Sequence, residues 1–83
     1  MRVILSSAAD RDASRLSPDV AERVFAALRG LRQDARPAGC RLIRGERPRI
    51  WRLRVGDWRV LYDIDDSAGL VTVLRVLHRS RAY

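Results

Sequence analysis

The chain of 83 residues has no lysine, one cysteine, one histidine and one methionine. Each scarcity removes a class of function. Cys40 alone cannot form an internal disulfide, and with the single His78 it cannot assemble a usual zinc site. No apolar run approaches the ~18 residues that a membrane-spanning helix needs. The apolar part of Met1-Arg2-Val3-Ile4-Leu5 is too short for a signal peptide. A cytoplasmic protein with no cofactor, no structural metal and no membrane contact is therefore expected. Acidic residues are also few: ten stand against seventeen basic residues, all arginine, for a net charge of +7. That imbalance predicts a polyanionic partner, either nucleic acid, an acidic protein, or both. Two domains would each have too little core to fold, so one domain over residues 1–83 is expected.

Apolar spacing then divides the chain. Arg2 to Ser6 reads as a short strand. Ser7 suits a helix cap, with Ala9, Ala13 and Leu16 on one face at i, i+4 and i+7. A stronger start follows: Ser17 as N-cap, Pro18 at the first helical position, Asp19 in the first turn. Val20, Val24, Ala27, Leu28 and Leu31 form the apolar stripe of this second helix, which ends near Gln33. Pro37 and Gly39 mark a loop, and from Cys40 the period changes to two. A brief strand at 41–44, a turn near Gly45 to Pro48, and strands near 49–55, 58–65 and 70–78 complete the chain. Helices and strands in separate runs indicate an α+β fold. The expectation is an N-terminal strand, a helical hairpin and an antiparallel four-strand run, in one sheet carrying both helices on one face.

Gly56-Asp57 suits a type II′ turn. This register pairs Val55 with Trp58, Arg54 with Arg59, Leu53 with Val60 and Trp51 with Tyr62. The apolar and aromatic members share a core face, and Arg52, Arg54 and Arg59 share the other. Arg54 directly opposite Arg59 is a destabilising pair, so a sequence selected for stability alone would avoid it. Asp66-Ser67-Ala68-Gly69 suits a three-residue loop, which would pair Leu70 with Asp66 and set Arg75 opposite Leu61. Leu70, Leu74 and Val76 then point to the core, and Arg75 and Arg79 join the basic face. A bulge would flip this second register. Up to five guanidiniums, with Asp63 as the exceptional acid, make a phosphate-binding surface.

Ile50-Trp51-Arg52-Leu53-Arg54-Val55-Gly56-Asp57-Trp58-Arg59-Val60-Leu61-Tyr62 resembles the signature of the RelE/ParE superfamily of bacterial toxin–antitoxin toxins. His78-Arg79 followed by Tyr83 resembles the closing pattern of the RelE branch, and Pro37-x-Gly39 with Leu42 and Gly45 resembles its lead into the sheet. The resemblance implies a RelE-like fold and metal-independent, ribosome-dependent cleavage of mRNA by attack of the ribose 2′-hydroxyl on the adjacent phosphate. It implies a toxin monomer inside a hetero-oligomeric complex with an acidic antitoxin, and the ribosome and mRNA as targets. Arg59, Arg79 and Tyr83 match the family's catalytic positions. Arg52 and Arg54 match its paired basic positions, and with Arg75 they are the expected phosphate-binding residues. Arginine cannot serve as the base, because its pKa exceeds about 12. Tyr83 is the expected proton acceptor; His78, Asp57 and the terminal carboxylate are the other candidates, with His78 more readily read as structural and Asp57 as a turn residue. Two other readings follow from the same resemblance: a ParE-like inhibitor of DNA gyrase, and an inactive member that binds RNA or antitoxin.

Overall fold

The computed structural model describes residues 1–47 and 49–81. Pro48, Ala82 and Tyr83 lie outside them, so the expected role of Tyr83 falls outside the described residues. The elements are β1 (Arg2–Leu5), α1 (Ser7–Ser14), α2 (Pro18–Gln33), β2 (Arg41–Arg44), β3 (Ile50–Val55), β4 (Trp58–Asp65), β5 (Leu70–His78) and a closing 3₁₀ turn, Arg79–Arg81. They form one five-stranded sheet in the order β1-β5-β4-β3-β2. The run β2 to β5 is antiparallel, as expected, but β1 joins its edge parallel to β5, with Val3 beside Val71 and Leu5 beside Val73. Between β1 and β5 the chain runs through both helices and three strands, a connection long enough for a parallel pairing.

Local chemistry sets the boundaries. The α1 cap is Ser6, one residue earlier than expected, and its Oγ accepts the Ala9 N–H at 3.1 Å. The α2 helix starts at Pro18 after Ser17, as the sequence indicates. Ala9 of α1 and Val24, Leu28 and Leu31 of α2 pack on Val60, Tyr62, Val71, Val73 and Val76 of the sheet. Trp51, Leu53, Val55 and Trp58 flank this core. Tyr62, fully buried, donates its hydroxyl proton to Ala35 O at 2.9 Å. Burial, and then the neighbouring Cys40, push its phenol far above the ordinary range, so it stays a neutral donor.

The end of the sheet away from the Gly56 turn is held by Arg36. Its guanidinium makes two hydrogen bonds to the Asp66 carboxylate, at 3.1 and 2.9 Å, and lies 5.0 Å from the centroid of the Trp51 ring. One side chain thereby ties the α2–β2 loop to β3 and to the β4–β5 turn.

The β3–β4 register is the one the Gly56-Asp57 turn predicts. Gly56 has φ +59° and no non-glycine residue among the described residues has a positive φ, which fits a glycine at the first position of the turn. The β4–β5 register departs from expectation. Leu70 pairs with Asp65, not Asp66, because Asp65 Oδ1 accepts both Ser67 Oγ and the Ala68 N–H and so draws four residues into the turn. Leu61 still faces Arg75, but Tyr62 faces Val73, which leaves Leu74 as an extra residue in β5. This bulge flips the first half of the strand, so Val71 and Val73, rather than Leu70 and Leu74, are the buried residues.

Helix α1 stabilises the bulge. Past Leu5 the strand β1 no longer covers β5, and side chains take over the pairing. Ser6 Oγ donates to Leu74 O at 2.9 Å, and Asp12 Oδ2 accepts the Val76 N–H at 2.9 Å. No helix among the described residues is long and apolar enough to cross a membrane.

Candidate nucleic-acid interface

Strand parity assigns side chains to the sheet face away from the helices. The register places Arg41 opposite Arg52, Arg52 opposite Leu61, and Leu61 opposite Arg75, one row across four strands. The next row toward the Gly56 turn is Arg54, Arg59 and Leu77. Neighbouring strands lie about 4.8 Å apart, so these rows bring five arginines onto one surface with two leucines between them. Arg44, opposite Ile50, extends the surface at its edge.

The opposed Arg54 and Arg59 resolve their repulsion by dividing the space. Arg54 is exposed. Arg59 lies along the hairpin at 9% exposure, and its Nη1 donates to Gly56 O and Trp58 O, both at 3.0 Å. Those carbonyls supply the negative partial charge that a buried guanidinium requires. Arg59 Nε is also buried and has no hydrogen-bond acceptor among the described residues. Arg52, at 7% exposure, is the other buried cation of the face.

The chain end returns to this hairpin. The Arg79 N–H donates to Asp57 O at 2.7 Å, which docks the closing turn beside Gly56-Asp57. The Arg79 side chain extends to solvent, 3.9 Å from the Asp57 carboxylate. Asp57 thus acts as turn residue and dock. On the other side of the turn, Arg23 of α2 comes close enough that a Cβ on Gly56 would lie 3.1 Å from its Nη1. His78, expected to face the core, sits opposite Trp58, edge-on to its ring with centroids 5.3 Å apart.

Of the expected site residues, the structure brings Arg52, Arg54, Arg59 and Arg79 to the hairpin end of the sheet. Arg75 lies on the same face but is engaged: its Nε and Nη2 hold the two carboxylate oxygens of Asp12 at 2.7 and 3.0 Å. That guanidinium, with help from the Val76 N–H, keeps the Asp12 carboxyl below the usual carboxylate range against the opposing effect of burial. The sequence reading missed Asp12, Arg41 and Arg44. Pairing the brief strand at 41–44 with β3 would have placed both arginines; nothing local marks Asp12, which lies 63 residues from Arg75.

No group of three His, Cys, Asp or Glu side chains among the described residues is placed to hold a metal ion. The surface can hold a polyanionic backbone through several guanidiniums and stabilise charge that grows on one phosphate.

Comparison with known proteins agrees with this geometry. The chain is similar to a chain of the archaeal RelE–RelB complex from Pyrococcus horikoshii, with 21% identity, a TM-score of 0.84, and 98% of this chain and 97% of that one covered. It is similar to a chain of a RelBE toxin–antitoxin complex from Mycobacterium tuberculosis, with 30% identity, a TM-score of 0.80, and 95% and 91% covered. It is also similar to the isolated RelE toxin of E. coli, with 19% identity, a TM-score of 0.67, and 93% and 82% covered. No curated protein matches. The family described as the ParE toxin of type II toxin–antitoxin systems, parDE, matches residues 3–83. This chain is therefore a member of that family, a type II toxin of the RelE/ParE superfamily.

Proposed function

We propose that this toxin cuts mRNA on the ribosome, without metal, and is neutralised by an acidic antitoxin that lowers the charge of the complex. The observation that carries the reading is Arg59: a nine-tenths buried cation whose Nε lacks an acceptor among the described residues, on the face that also bears Arg52 and Arg54. An unsatisfied buried donor costs about 1–3 kcal/mol. A phosphate oxygen is the acceptor such a surface recruits.

In this mechanism the 2′-oxygen attacks the neighbouring phosphorus. A new O2′–P bond forms, the P–O5′ bond breaks, and the leaving O5′ takes a proton from water, so the products are a 2′,3′-cyclic phosphate and a 5′-hydroxyl. Negative charge accumulates on the phosphoryl oxygens, and fixed guanidiniums stabilise it. Arg59 and Arg79 take that role. Arg52 and Arg54 hold flanking phosphates, while Arg75, expected to join them, is held by Asp12 at the edge of the face. Tyr83, which matches the family's closing tyrosine, takes the role of acceptor for the 2′-proton; positive charge beside a phenol lowers its pKa from about 10.

Primer extension on mRNA in a translation extract tests the reading. Cleavage that survives EDTA wherever ribosomes are kept intact, and that leaves cyclic or 3′-phosphate ends, supports it. Ends bearing a 3′-hydroxyl refute it. The match to the ParE toxin family keeps a second reading in play: the gyrase inhibition that the ParE resemblance implies. A supercoiling assay separates the two, because a gyrase inhibitor blocks supercoiling in the absence of ribosomes and leaves mRNA whole.

A further inference from the structure

Where β1 ends, the free edge of β5 meets the end of α1 and the closing turn around a cavity of about 110 Å³. Asp12 and Arg15 of the α1 end, Arg75 and His78 of β5 and Arg81 of the closing turn line it. Arg15, His78 and Arg81 have no part in the mechanism above.

The charges favour an anion. Three guanidiniums against one carboxylate leave a net charge of +2, and Asp12 is already committed to Arg75 and to the Val76 N–H. The Arg15 charge also acts on Asp12 through space, but neither the Arg15 nor the Arg81 side chain makes a hydrogen bond or close ion pair among the described residues. Carbonyls at a helix C-terminus would repel an anion, but Asp12 O and Ala13 O accept the Arg15 and Leu16 N–H groups. The imidazole contributes as well. The Ser80 N–H points at His78 Nδ1 from 3.4 Å and Ser80 Oγ lies 3.0 Å from it. Because Nδ1 accepts, the neutral ring carries its proton on Nε2 as a donor.

A larger cavity of about 680 Å³, at the far end of the sheet, sets Arg47 and Arg49 against Asp63, Asp65 and Asp66 and offers an anion no such balance. The small cavity lies well below the ~300 Å³ and more of sites that enclose whole ligands, so only a terminal group enters it. A phosphate monoester carries about −1.5 to −2 at pH 7, close to the charge of the lining, whereas a diester carries −1.

We infer that this cavity binds a phosphate monoester, carried either on an RNA end or on a free nucleotide. The site is separate from the cleavage chemistry, and its test needs no ribosome. The full chain is titrated with inorganic phosphate, a nucleoside monophosphate, and a 2′-O-methylated trinucleotide ending in a 3′-phosphate or a 3′-hydroxyl. Calorimetry gives affinity and NMR follows the His78 ring. Each phosphate-bearing probe is expected to shift the ring signals and to lose affinity about tenfold or more in Arg15→Ala and in Arg81→Ala. Arg15→Lys should recover part of the loss. Arg15 is exposed, and its Ala variant should keep the parent Tm, which separates lost binding from lost fold. Tighter binding of the 3′-phosphorylated trinucleotide than of the nucleotide assigns the site to RNA ends, and the reverse order assigns it to free nucleotides. An equal Arg15 dependence for the 3′-hydroxyl trinucleotide overturns the inference in favour of a backbone diester site. Unchanged phosphate binding in both Ala variants overturns it outright.

Discussion

Replacing Arg59 by Met separates the chemistry of the open face from its contribution to stability. Met keeps most of the buried methylene stem and removes the guanidinium. The loss includes two hydrogen bonds from Nη1, to Gly56 O and Trp58 O. Bonds from a charged donor contribute about 1.5–3 kcal/mol each. Gly56 is exposed, water can take the place of the lost donors, and the lower bound applies: about 3 kcal/mol for the pair. Against this, the variant removes a buried Nε that has no acceptor, a gain of about 1–3 kcal/mol, and relieves the repulsion from Arg54 by up to about 1 kcal/mol. The balance leaves at most about 2 kcal/mol of destabilisation, and each 1 kcal/mol of it lowers Tm by about 4–8 °C. Cleavage should fall much further. Deleting a preorganised donor to developing negative charge costs about 10²–10³ in rate. Single-turnover cleavage on programmed ribosomes, with Tm measured on the same preparations, gives both numbers. A variant that cleaves within about threefold of the parent rate refutes the role given to Arg59. A stability loss above about 3 kcal/mol shows instead that the guanidinium is there to hold the hairpin.

Three further outcomes are expected. Tyr83→Phe should slow the chemical step by about 10²-fold while leaving ribosome binding unchanged; full activity would move the proton acceptor to His78 or the terminal carboxylate. Tyr62→Phe should cost about 1–3 kcal/mol by leaving Ala35 O without its buried donor, read from the denaturation midpoint. Asp12→Asn should lower stability at neutral pH and flatten the acid limb of the stability curve. The folded-state pKa of Asp12 is depressed, so its contribution is complete above the unfolded value near 4 and is lost as pH falls below it. A curve of Tm against pH that keeps its shape in Asp12→Asn would contradict this assignment.

Wherever one short stretch contained the whole cause, the sequence was sufficient. Ser17-Pro18-Asp19 starts α2 because cap, first position and first turn act within three residues. Gly56-Asp57 determines the β3–β4 register, and with it which face bears Arg52, Arg54 and Arg59. The misses have causes distant in the chain. The β5 bulge depends on Ser6 and Asp12, which belong to another element. The engagement of Arg75 has the same origin, because an ion pair spanning 63 residues leaves no periodic trace. The parallel placement of β1 was hidden for a related reason: a four-residue edge strand announces its existence but not its neighbour. The burial of Arg59 was unexpected because strand parity tells which face a side chain leaves from, not whether it then lies flat against its own turn.

The clasp of Arg36 on Trp51 and Asp66 divides duties along the strands. Anchorage sits at one end of the sheet, and Arg54, Arg59 and Arg79 gather at the other, around the Gly56-Asp57 turn. The two ends can therefore change independently over evolutionary time. A substitution at the hairpin end leaves the anchor intact, and under the proposed function such a copy would be a folded decoy, still able to occupy an antitoxin.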